Sequence, residues 1–277
     1  AGDTFTPGAA IKTHDLKVRG TLTLAANTAT ITGSLLANSG TLTTAGTILL
    51  NSTGSEILNV GANSVQHLTL GASASNGVTS GLLGYWKFDE GAGTTAADSS
   101  GNGYNGVLTN GPTWTTGVPS GIRFYNPYAL SFDGAGDYVN LPTANYDSLQ
   151  NLTVAMWVKR GRTHASYDDR LLMSWAYGGW GSYFWANSVH FGRIGAGDYG
   201  SSSTITDTNW HHVAVTLQSL SALKFYIDGN LDVSTTYGLG AFSGGGNYVI
   251  GSGYGNLYYL GSFDDVRLYS RAITASE

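Results

Sequence analysis

Seven Trp, 17 Tyr and nine Phe are distributed through a 277-residue chain, yet Phe5 alone lies before position 81. Aromatic rings bury large areas and dominate the cores that contain them. Two regions so differently supplied must pack in different ways. The break falls at "GASASNGVTSG" (71–81), a run of small residues that reads as a linker. The sequence therefore predicts two parts, 1–80 and 81–277.

The first part is quasi-repetitive. "GTLTLAAN", "GSLLANSG", "GTLTTAGT" and "LNVGAN" echo one another, with Thr, Val, Ile and Leu at period two and Gly or Asn between them. Such pieces make short strands and tight turns. Rungs of about 20 residues would give a solenoid-like stack or a strand-exchanging β region. Residues 20–55 carry no charge, so nothing there guards an open strand edge against pairing. Self-association through residues 1–80 is the expected consequence.

The second part alternates cleanly. Leu152, Val154, Met156 and Val158 share one face of "NLTVAMWVKR", and Leu223, Phe225 and Ile227 share one face of "LKFYIDGNL". Asp228-Gly229 is a hairpin turn signal. Charged residues make up only 11% and Gly numbers 40, a balance that favours strands over helices. The predicted class is all-β, an antiparallel jelly-roll sandwich preceded by the β-repeat region. A net charge of −5 without a basic stripe excludes a nucleic-acid partner. The lack of cysteine excludes disulfides, thiolate catalysis and Cys-based zinc sites. No apolar run approaches the roughly 20 residues of a membrane span. The start, "AGDTFTPGAA", is expected of a secreted chain whose signal peptide has been removed.

Six blocks of the second part come in order: "GLLGYWKFDEGAGTTAADSSGNGYNGVL", "ALSFDGAGDYVNLP", "LTVAMWVK", "NWHHVAVTL", "LKFYIDGNL" and "GSFDDVRLYSRAITASE". Together they resemble the laminin-G-like jelly rolls of the concanavalin A-like lectin/glucanase superfamily. The resemblance implies two packed antiparallel sheets, and it does not extend to the first 80 residues. The chain stops inside the family's closing block, at "TASE", so a longer natural protein is compatible with the resemblance.

Within "NWHHVAVTL", alternation sends His211 to the side of Val213, Val215 and Leu217, and His212 to the side of Trp210 and Ala214. Rings on opposite faces cannot chelate one metal, so both histidines are read as structural. Related glucanases pair carboxylates on one strand face. Here the three glutamates, Glu56, Glu90 and Glu277, are scattered, and Asp264 and Asp265 are adjacent. No catalytic residue is expected.

Calcium is the expected cofactor. "DSSGNG" (98–103) offers closely spaced oxygens of the kind a hard cation binds. The resemblance places this loop beside the last strand. Alternation sets Asp264 on the core side with Val266 and Leu268, where a carboxylate needs a partner. The candidate ligands are Asp98, Asn102 and Asp264. The competing reading is an Asx-turn at Asp98 with an ion pair from Asp265 to Arg267 or Arg271.

A third feature is the aromatic run "LLMSWAYGGWGSYFWANSVHFG" (171–192). Trp175, Tyr177, Trp180 and Trp185 are the candidates for stacking on a sugar. Subunit contact and plain core packing compete with that role. The sequence thus predicts a non-catalytic extracellular structural protein, a self-assembling surface filament or sheath subunit that displays a jelly roll. The alternative is a secreted carbohydrate-binding or adhesin module.

Overall fold

The computed structural model describes residues 79–277 except 123–125, 144–145 and 164–168, together with the backbone of short strands between residues 4 and 70. The chain divides into two compact units, one of Ala1–Val78 and the other of Thr79–Ile122 with Asn126–Glu277.

The described strands of the first unit are β1 (Thr4–Phe5), β2 (Ile11–Thr13), β3 (Leu16–Lys17), β4 (Thr21–Leu24), β5 (Thr28–Ile31), β6 (Leu35–Leu36), β7 (Thr41–Thr44), β8 (Thr47–Leu50), β9 (Leu58–Asn59) and β10 (Leu68–Leu70). They pair in parallel, in the orders β1-β4-β7, β2-β5-β8-β10 and β3-β6-β9.

The second unit is antiparallel throughout. Its strands are β11 (Leu82–Trp86), β12 (Thr95–Ala96), β13 (Gly106–Thr109), β14 (Thr113–Thr115), β15 (Ala129–Asp133), β16 (Tyr138–Asn140), β17 (Leu152–Arg160), β18 (Asp169–Ser174), β19 (Trp180–Trp185), β20 (Ser188–Arg193), β21 (Gly197–Thr204), β22 (Trp210–Gln218), β23 (Ala222–Ile227), β24 (Asn230–Thr236), β25 (Tyr248–Ile250) and β26 (Leu260–Tyr269). One sheet runs β14-β15-β26-β17-β22-β23-β24, with β11 also on β26. The other runs β12-β13-β16-β25-β18-β19-β20-β21. Strands far apart in sequence are neighbours in both, as a jelly roll requires.

The core lies between the sheets. Leu152, Val154, Met156 and Val158 of β17 are buried there, as their alternation predicts, together with Val213, Val215 and Leu217 of β22. Asp228 and Gly229 take φ of 50° and 79°, the left-handed pair of a tight hairpin turn. The second sheet contributes Phe184, Val189, Phe191 and Ile250.

Two expectations fail here. Trp180, a candidate for sugar stacking, is fully buried. Its ring meets Tyr248 and Phe191, and its Nε1 donates to the Tyr146 carbonyl. It is a core residue. Asp264 is not on the core side. The β17–β26 register pairs Val158 with Phe263 and Trp157 with Asp264, then slips before Ala155 meets Arg267. Asp265, at φ 54°, occupies the slip. One extra residue in a strand reverses the facing of everything beyond it. Phe263, Val266 and Leu268 therefore face the core, while Asp264 lies with Trp157 on the opposite side.

Candidate functional site

The outer face of the β18–β21 sheet carries a pocket of about 180 Å³. Its lining includes Arg170, Met173, Tyr183, Gly192, Asp198 and Tyr254. Sheet register explains the grouping. Arg170 pairs with Tyr183 across β18 and β19, Tyr183 with His190 across β19 and β20, and Gly192 with Asp198 across β20 and β21. Alternation turns Phe184, Val189 and Phe191 inward, so these neighbours turn outward.

The groups brace one another. The Arg170 guanidinium lies 4.8 Å from the Tyr183 ring centre, and Tyr183 stacks on His190 at 5.5 Å. His190 Nδ1 meets Asp198 Oδ1 at 2.6 Å. Asp198 is held below the ordinary carboxylate range, first by that bond and also by hydrogen bonding with Tyr183 and the charge of Arg170. The site therefore presents a fixed carboxylate, a guanidinium and aromatic faces together. The floor is low because Gly192 has no side chain; a Cβ there would collide with the backbone of Gly197 and Asp198.

Of the aromatic candidates, Tyr177 is 67% exposed and donates its hydroxyl to the Gly195 carbonyl on the pocket rim. Trp185 is 50% exposed and leans on His190. Trp175 instead makes an edge contact with Tyr138. Tyr254, 45% exposed and in the lining, was not singled out from the sequence, and neither were Arg170 and Asp198. The visible signal is the alternation of polar with apolar residues along β20, which marks an outward face without saying what gathers on it.

The acidic candidates part company. Asp98 accepts from the backbone N–H groups of Tyr85, Ser100 and Tyr104 and from the Ser100 hydroxyl. Burial works against its charge, but these bonds prevail and keep its carboxyl below the usual range. The Asn102 amide donates to the Leu82 and Leu83 carbonyls. This is the Asx-turn arrangement, and its oxygens are taken up in stapling the loop to β11. Asp264 Oδ2 accepts from Asn126 at 2.7 Å. The three candidate ligands thus make no bond to a common partner. Asp265 pairs with Arg267 at 3.0 Å, whereas Arg271 pairs with Glu277. Among the described residues, no three His, Cys, Asp or Glu side chains form a cluster ready for a metal.

The adjacent histidines behave oppositely. His211 is clasped by Asp228 at 2.8 Å and Asp207 at 3.1 Å. Burial alone would lower its pKa, but the two carboxylates raise it. His212 packs edge-on to Trp157, and burial, helped by Arg267, lowers it to about 4. Each ring is accounted for by structural contacts on its own face.

Two packed antiparallel sheets with this strand order define a jelly roll. The chain belongs to the concanavalin A-like lectin/glucanases superfamily, whose Laminin_G_3 family matches residues 133–277. No curated protein sequence matches it. Among solved structures, it is similar to domain 4 of AbnA, a GH43 extracellular arabinanase from Geobacillus stearothermophilus, in complex with arabinotriose. That match has 19% identity and a TM-score of 0.57, covering 70% of this chain and 95% of that one. It is also similar to the binding domain of botulinum neurotoxin DC in complex with rat synaptotagmin II (10% identity, TM-score 0.57, 72% and 50% covered). A third similar structure is the binding domain of Paraclostridial Mosquitocidal Protein 1 (16% identity, TM-score 0.57, 71% and 50% covered). The match thus spans half of each toxin fragment. At these identities the likeness is one of fold.

Proposed function

We propose that this chain is a non-catalytic, extracellular binding module whose ligand is a glycan, taken up at the outer-face pocket of the β18–β21 sheet. The observation that carries this reading is the Arg170–Tyr183–His190–Asp198 array beside the exposed Tyr254 ring. A carboxylate and a guanidinium suit vicinal hydroxyls, and aromatic faces suit the apolar side of a sugar ring. The pocket is smaller than the roughly 300–1,000 Å³ of drug-sized sites, so it fits one ring or the tip of a chain. Affinity at one such site is weak, and display in many copies would raise it. The solved structure bound to arabinotriose lends support by analogy of fold. A glycan array probed with a multivalent preparation tests the reading. Binding that is lost in Asp198→Ala supports it, and a blank array for the native chain rejects it.

Self-association through residues 1–80 is a companion reading, in which this module would be displayed on a filament or sheath. Its support is the parallel pairing of strands in three orders, which ends at β1, β2 and β3 on one side and at β7, β10 and β9 on the other. Those ends could take up strands of a second copy, and a contact that does not close grows into a fibre. Light scattering of the full chain beside residues 81–277 tests it. Equal, monomeric masses across a wide concentration range would remove it.

A further inference from the structure

The other sheet of the sandwich carries a hollow of its own. On its outer face β22 presents His212, Ala214 and Thr216, because Val213, Val215 and Leu217 face the core. Register sets Ala155 of β17 on one side of Ala214 and Tyr226 of β23 on the other, with Trp157 beside His212. Ala155, Ala214 and Tyr226 are buried as a small cluster apart from the main core. The chain that leaves β26 lies against this face. Its Arg271 carbonyl accepts from the Thr153 hydroxyl at 2.8 Å, and its Ile273 N–H donates to the same oxygen at 3.0 Å. Arg271 then grips the Glu277 carboxylate at 2.6 and 3.0 Å, and Glu277 also accepts from the Thr274 N–H. Residues 271–277 are thereby closed into a strap fastened to β17.

Between strap and sheet is a cavity of about 170 Å³, whose lining includes His212, Ala214, Thr216, Tyr226, Ile273 and Ser276. Its depth comes from Ala214, which has only a methyl group between larger neighbours. Its chemistry is uncharged. Glu277 is neutralised by Arg271, and burial, helped by the charge of Arg267, lowers the His212 pKa to about 4. A neutral imidazole offers one N–H donor and one lone pair. Among the described residues, neither ring nitrogen of His212 has a hydrogen-bond partner. The ring is held by its edge contact with Trp157, and the backbone N–H by Asp228. Thr216, Tyr226 and Ser276 add hydroxyls, which donate and accept alike. A charged ligand would lose its hydration here without meeting a countercharge. An alcohol can both give to and take from every one of these groups.

We propose that this cavity is a second binding site, on the opposite face of the sandwich from the first, for a small neutral polyhydroxylated molecule the size of one sugar ring. His212 and the hydroxyls of Thr216 and Tyr226 bond its hydroxyls, while Ala214 and Ile273 receive its apolar edge. The site stands on its own residues and does not depend on the β18–β21 pocket. A module with sites on both faces could bridge two glycan chains, and the second contact would then be made at a raised local concentration.

The test follows the His212 ring and Ala214 methyl signals of the full chain by NMR, with arabinose, galactose and glucose added one at a time. At least one of the three should shift both signals, with an affinity of about millimolar. Ala214→Leu fills the hollow and should weaken that binding at least about tenfold. Thr216→Val is nearly isosteric, should weaken it in the same direction, and serves if the first variant fails to fold. Asp198→Ala should leave the shifts unchanged. Glucuronate should bind at least about tenfold more weakly than glucose. No shift with any neutral sugar up to about 0.1 M would overturn the proposal. So would shifts that vanish in Asp198→Ala, or that survive undiminished in both cavity variants. A blank glycan array with the His212 shifts intact would reject the β18–β21 reading and leave this site standing.

Discussion

Asp169 and Asp264 are withdrawn from water to the same degree, both with no exposed surface, but their company differs. Asp169 lies between two guanidinium groups. Arg162 reaches its Oδ1 at 2.7 and 3.1 Å, and Arg160 reaches its Oδ2 at 3.4 Å. Arg160 is itself held by the Asn187 side chain and the Ile205 carbonyl. Asp264 has one amide and two like-charged neighbours. At the first site the chain supplies its own countercharge. At the second, burial and the like charges of Asp265 and Asp89 favour the protonated acid. The contrast teaches that burial alone says little about a carboxylate's role; the sign of what surrounds it decides.

The largest effect should come from breaking the self-sufficient site. Asp169→Ala strands the buried Arg160 and should lower unfolding free energy by about 3–5 kcal/mol in urea titration. The same measurement on Asp264→Asn in chelator should show a loss below about 1 kcal/mol or a gain, because it removes an uncompensated charge. Equal losses at both sites would dissolve the comparison. Asp98 extends the series as a carboxylate saturated by backbone donors. Asp98→Ala should cost about 1.5–3 kcal/mol, and by the same amount with calcium or with chelator. A cost that appears only in calcium would show that the 98–103 loop holds a cation.

Groups near water should matter less to stability. Tyr254→Ala should leave the fold within about 0.5 kcal/mol while weakening glycan binding about tenfold, or about 1.4 kcal/mol, read by titration against an array-selected glycan. The smallest effect concerns His211. Its folded pKa is raised above the ordinary 6.5. The stabilisation from its two carboxylates is therefore complete below about pH 6.5 and is lost as pH rises through the folded value. With both partners exposed, it should amount to less than about 1 kcal/mol. An NMR titration should find His211 ionising above His212, whose pKa lies near 4; the reverse order would refute the assigned contacts.

The jelly roll was legible because its strands alternate and its turns carry their signatures, as Leu152–Val158 and Asp228-Gly229 illustrate. The sides taken by His211 and His212 followed from the same rule. Asp264 escaped it because a single bulged residue, Asp265, resets the alternation, and nothing in "SFDDVRLY" marks which residue bulges. Trp180 escaped because stacking residues and core residues share one chemistry, and only the Tyr146 carbonyl awaiting its Nε1 tells them apart. The pocket residues Arg170, Asp198 and Tyr254 lie on three separate segments. Their meeting is a product of strand order, which local sequence does not encode. The "GAGDYG" that holds Asp198 reads by itself as turn chemistry.

Gly192 carries a consequence for how this surface can vary. A methyl group there would strike the backbone of β21, and one at Gly181 would strike the Met173 side chain. Gly192, which meets backbone, should therefore reject every substitution in a mutational scan, and Gly181 should tolerate only those that Met173 can move aside for, whether or not the pocket ever meets a ligand. Tyr254 and Asp198 are free of that constraint. Selection for recognition would be recorded at the rim alone, while the floor would look equally invariant in a chain that had lost its ligand altogether.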